Sequence, residues 1–159
     1  MEDVWLTLKP SRETQSIHIN CAYIPGDMEA SKFQMYTNSI TSRVNDSPND
    51  TFIISGDYNV PSFVSLRAQT SSEKAAMLSE FMELCDMEQF NTTRSNTSSN
   101  NLLDLIFSNR YLEVDACDDP ISKVDDYHPP LIIKLITNLQ KAPEEEIKFR
   151  NFKRLLGRV

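Results

Sequence analysis

The chain has 159 residues, 40% of them hydrophobic and 25% charged, which is ordinary for a globular protein and enough for one domain with a substantial core. Its 23 acidic residues outnumber the 16 basic ones, and a net charge of −7 argues against a protein that grips nucleic acid through Lys and Arg alone. No apolar run is long enough to span a bilayer, and Met1-Glu2-Asp3-Val4 lacks the features of a signal peptide, so the expectation is an intracellular chain, nuclear or cytoplasmic, with no membrane partner.

Val4 to Lys9 alternates apolar and polar residues and predicts a strand with Val4, Leu6 and Leu8 on one face. Ile17 to Cys21 alternates again, so the two predict an antiparallel hairpin that ends at Pro25-Gly26-Asp27. Phe33, Tyr36, Ile40 and Val44 recur every three or four residues and predict a helix over Met28–Val44. Thr51-Phe52-Ile53-Ile54-Ser55 does not alternate, as suits a central strand buried on both faces. An irregular loop is expected from Pro61 to Thr70. A helix capped by Ser71 or Ser72 should then run from Glu73 to Cys85, with Ala76, Met77, Phe81 and Leu84 as its apolar stripe. Thr92 to Asn101 is a polar tract and is expected to be a mobile surface loop without core residues. Leu102–Ser108, Leu112–Cys117 and Leu131–Ile136 predict three more strands. The charged segment 139–159 reads as a tail or linker helix beyond a domain of residues 1–138. Helices set among strands without strict alternation indicate an α/β (α+β) layered fold.

Cys21, Cys85 and Cys117 are odd in number and far apart, which indicates neither a disulfide framework nor a zinc site. Each is expected to be a small buried residue. His18 has no motif around it and is expected on the less buried face of its strand, outside any site.

The chemistry-bearing residues lie at strand ends. Gly56-Asp57-Tyr58-Asn59 closes the central strand, so that a carboxylate and a carboxamide two residues apart point the same way while the chain stays extended. Asp104 stands mid-strand between Leu103 and Leu105, where a lone carboxylate is costly to bury without a partner. His128, one of two histidines, sits in Asp125-Asp126-Tyr127-His128-Pro129-Pro130 and would supply that partner.

These motifs, with Ile19-Asn20-Cys21-Ala22-Tyr23-Ile24-Pro25 and Gln89-Phe90-Asn91-Thr92-Thr93, resemble in kind and order the endonuclease/exonuclease/phosphatase superfamily. Within it they look most similar to the endonuclease domain of LINE-type (non-LTR) retrotransposons. The resemblance covers Val4 to Leu135. It implies a DNase-like four-layer sandwich of two mixed β-sheets flanked by helices, here a C-terminal portion without the opening strands. The missing strands imply an exposed hydrophobic sheet edge and self-association through it.

The resemblance further implies a phosphodiesterase that uses Mg²⁺ or Mn²⁺ and acts on DNA. Asp57 would be the general base, Asn59 would orient the water, and His128 would stabilise charge on the phosphate with its ring held by Asp104. Tyr23 would reach the scissile phosphate, and Asp57 and Asp126 would be the metal carboxylates. The family's upstream Asn and Glu ligands have no counterpart. Tyr127, uncharged near neutral pH, stands where the pattern has Asp. The implied domain is therefore catalytically impaired. The alternatives are a non-catalytic relic or interaction module, or a phosphatase-type member acting on small phosphate esters.

Overall fold

The computed structural model describes residues 1–10, 15–63, 72–120 and 123–136. Its elements are strands β1 (Glu2–Leu8) and β2 (Ile17–Tyr23), helix α1 (Ala30–Asp46), strand β3 (Thr51–Asp57), helix α2 (Glu73–Leu84), and strands β4 (Glu88–Gln89), β5 (Asp104–Ser108), β6 (Leu112–Ala116) and β7 (Leu131–Leu135). The expected tail over 139–159 lies outside the described residues, as does most of the expected loop from Pro61 to Thr70.

Five strands form one sheet in the order β1-β2-β3-β5-β4. The expected hairpin is present as β1–β2, and the parallel β2–β3 pair makes the sheet mixed. That parallel step needs a crossover, which α1 supplies. The second sheet is, among the described residues, an antiparallel pair, β6–β7.

Phe52, Ile54, Leu105 and Phe107 face α1 and α2 in the larger core, whereas Ile53 and Ile106 face Leu112, Val114, Leu131 and Leu135 of the second sheet. The described residues thus build three layers: helices, main sheet, second sheet. Phe107 anchors the helix side, with Tyr58, Phe63 and Phe81 arranged edge-to-face around it at centroid distances of 5.4, 6.1 and 5.6 Å. At the far end of the sheet the Asn109 side chain accepts from Phe52 N–H and donates to the Asp50 carbonyl, both at 2.9 Å, tying the end of β5 to the start of β3.

Several expectations need correction. α1 starts at Ala30, because Pro25 to Met28 first forms a turn with Met28 N–H donating to the Pro25 carbonyl. α2 buries Ala75, Leu78, Phe81 and Met82, one helical step from the expected stripe; Ala76 and Leu84 face solvent. Its cap is Ser72, whose hydroxyl accepts from Ala75 N–H. The polar tract Thr92–Asn101 does contain a buried residue, Ser95, which bonds Asn101 through both main chain and side chain. Of the cysteines only Cys85 is buried. Cys21 is exposed because the core under the second sheet takes in Ile17 and Ile19 of β2 but does not reach Cys21. His18 lies on the better-covered, helix-side face, stacked on Phe52 and paired with Asp50 at 2.9 Å.

Candidate active site

The pleat and the register bring the sequence-predicted residues to one end of the main sheet. β2 and β3 run parallel with Tyr23 beside Asp57, and β3 and β5 run antiparallel with Asp57 opposite Asp104. The three therefore form a row across three adjacent strands, on the face that bears the second sheet. The loop before β7 brings His128 onto this row. Its Nδ1 lies 3.2 Å from both carboxylate oxygens of Asp104, and its Nε2 lies 3.6 Å from Asp57 Oδ2. The imidazole thus bridges two carboxylates contributed by different strands.

Gly56 makes the close approach of β2 and β3 possible. It adopts φ +146°, and a Cβ there would lie 1.9 Å from the Ala22 carbonyl oxygen. No L side chain fits this position, so the residue before Asp57 has to be glycine. Asn59 follows in the left-handed region, φ 49°, a conformation asparagine tolerates better than most residues. Its main-chain N–H donates to Asp57 Oδ1 at 3.1 Å, and its side-chain amide donates to Asp57 Oδ2 at 2.8 Å and to the Ile24 carbonyl at 2.9 Å. Asn59 therefore fixes Asp57 and ties it to the end of β2.

Burial pushes the Asp57 carboxyl above its ordinary range, against the opposing pull of His128 and of the two Asn59 donors. Asp104 is also raised, again mainly by burial; the nearby Asp57 and Asp125 charges add to the rise and His128 opposes it. Two half-buried carboxylates facing one another with a single imidazole between them form a site short of positive charge. Ligand atoms from Asp57, Asp104 and His128 all lie within 4.8 Å of one another, the one such group of three among the described residues.

Tyr23 is 53% exposed at the outer end of the row. Asp126 is exposed and is not among the three converging groups; its carbonyl accepts from Asn96 N–H at 2.7 Å. Tyr127 also faces solvent, with its N–H donating to the Asp125 carboxylate at 2.8 Å.

One contributor escaped the sequence reading as a site element. Asn91 is fully buried, its side-chain amide donates to the Asp104 carbonyl at 2.7 Å, and its Oδ1 accepts from Thr93 N–H at 2.8 Å. It clamps the polar tract to the first residue of β5. The available signal was a lone Asn two residues before a Thr, the usual pattern of a side chain closing a local turn.

A family model described as endonuclease-reverse transcriptase matches residues 17–132. No curated protein matches the chain. Among solved structures it is similar to the catalytic domain of human Nocturnin, at 12% identity and TM-score 0.49, covering 82% of this chain and 50% of that one. It is also similar to the cytolethal distending toxin of Haemophilus ducreyi, at 13% identity and TM-score 0.48, covering 83% and 57%. Beta toxin of Staphylococcus aureus matches at 13% identity and TM-score 0.45, covering 82% and 52%. The chain spans about half the length of these proteins.

Proposed function

The chain belongs to the endonuclease-reverse transcriptase family, and on that premise we propose that it carries part of the active site of a metal-dependent DNA endonuclease of LINE-type retrotransposon origin. The observation that carries this reading is the meeting of Asp57, Asp104 and His128, drawn from three separate segments, at one sheet end.

The donor set suits a divalent cation. Burial strains both carboxyls toward the protonated form, and a cation between them would relieve that cost. Asp57 and Asp104 would hold Mg²⁺ or Mn²⁺, with Asp126 a further carboxylate from the His128 loop. Bound there, the ion would polarise a phosphate oxygen. Asp57, held by Asn59, accepts the proton of the attacking water. His128, its Nδ1 directed at Asp104, turns Nε2 toward the phosphate as a donor to the developing negative charge. Tyr23, at the open end of the row, lends its hydroxyl to the scissile phosphate.

Mg²⁺ calls for about six well-placed oxygens, and the converging group offers two carboxylates and one imidazole. Residues 1–159 by themselves are accordingly read as a weak catalyst. The cation site can be tested without turnover. Mn²⁺ should broaden the His128 ring signals in an NMR titration while those of His18, the other histidine, stay sharp, and Asp57→Asn should abolish the broadening. Equal broadening of both rings, or an unchanged response in Asp57→Asn, would remove the basis for the metal site.

A further inference from the structure

β1 is an edge strand, with no described strand beyond it. Edge strands are ordinarily blunted by proline, by inward lysine or by a bulge. Glu2–Leu8 has none of these; its charges, Glu2 and Asp3, stand only at its first two positions, and it pairs with β2 without interruption over all seven. On the face toward the second sheet, beyond the Ile17 and Ile19 that its core takes in, Val4, Leu6 and Leu8 are 70%, 52% and 43% exposed. A row of main-chain donors and acceptors with no partner among the described residues thus lies beside an exposed apolar stripe.

The side chains point to what completes it. Laid antiparallel on a second copy of itself and centred on Leu6, β1 sets Val4 opposite Leu8 of the second copy, Leu6 opposite Leu6, and Trp5 opposite Thr7. Asp3 then falls opposite Lys9 of the second copy, on the helix-side face, and the pair occurs twice by symmetry. Centred on Trp5 instead, the same strand would set Glu2 opposite Leu8 and leave Lys9 opposite Met1. The segment Asp3-Val4-Trp5-Leu6-Thr7-Leu8-Lys9 is therefore self-complementary in one antiparallel register, in both hydrophobicity and charge. We propose that the chain forms a two-fold dimer by antiparallel β1–β1 pairing about Leu6, joining two five-stranded sheets into one.

Light scattering at micromolar concentration should return a dimer for the unmodified chain and a monomer for Leu6→Lys, which alters a residue already exposed in the single copy. Charge then reports the register. Asp3→Lys alone and Lys9→Glu alone each place like charges opposite one another twice and should weaken association at least tenfold. A one-to-one mixture of the two variants restores both attractions and should dimerise as well as the unmodified chain. Should Asp3→Lys fail to fold, because Asp3 also accepts from Trp5 Nε1 and Asn20 Nδ2, cross-linking reads the same register. Residues directly opposite in an antiparallel pair lie about 4.5–5.5 Å apart at Cα, within disulfide reach. In a Cys21→Ser background, Leu6→Cys should therefore oxidise to a covalent dimer and Val4→Cys should not. A monomer at all concentrations, a dimer indifferent to Leu6→Lys, a mixture no tighter than its separate variants, or cross-linking through position 4 instead of position 6 would each overturn the proposal.

Discussion

Asp104 illustrates how a candidate site residue is costly to the fold that carries it. Its carboxyl, like that of Asp57, is raised by burial above the ordinary value of 3.8. The folded chain therefore holds these protons more tightly than the unfolded chain does. The sign follows: below 3.8 both states are protonated and nothing is lost, and stability falls as pH rises through the elevated range. Asp104→Asn keeps an acceptor for His128 and removes the charge. We expect it to raise the melting temperature at neutral pH by about 2–4 °C, the change that ~1 kcal/mol produces in a chain of this size, and the difference should vanish near pH 3. An equal shift at both pH values would show that the gain is unrelated to ionisation. Both carboxylates and His128 were legible in the sequence because a charged residue among apolar strand residues needs a stated reason. The two hydrogen bonds by which the Asn59 side-chain amide locks onto Asp57 and Ile24 were not, because they depend on a left-handed backbone at one residue.

At the level of elements, the strands and helices were legible from hydrophobic period, and the hairpin β1–β2 from alternation. The stripe of α2 was misplaced by one position because Ala75, Ala76, Met77 and Leu78 are all apolar, so period alone does not choose among them. The tract before β5 was misread for a different reason. Its order rests on hydrogen bonds, with Asn91 and Ser95 buried among polar partners, and hydropathy carries no trace of that. Asn91→Ala would strand the Asp104 carbonyl and Thr93 N–H without partners. The cost should be about 2–3 kcal/mol in urea unfolding, with faster amide exchange in residues 91–104 than in β2 or β3. A loss spread evenly over the sheet would deny Asn91 its role as a local clamp.

For the molecule as a whole, the proposed weak catalysis has a direct check. Supercoiled DNA incubated with residues 1–159 and Mg²⁺ at neutral pH should remain un-nicked, since the converging group supplies fewer oxygens than the about six that Mg²⁺ calls for. Metal-dependent nicking that disappears in Asp57→Ala would refute the impairment while leaving the nuclease reading in place. The link made by Asn109, from the end of β5 to the start of β3, bears on how the chain avoids folding errors. Side chains alternate across a strand, so sliding β5 by one residue against β3 would turn Asp104 toward the helices and present Leu103 or Leu105 to the opposite face. Such a slip would also pull Asn109 away from Phe52 and Asp50, forfeiting both bonds at once. A side chain at the opposite end of the strand from Asp104 thereby proofreads the alignment on which the row of Tyr23, Asp57 and Asp104 depends.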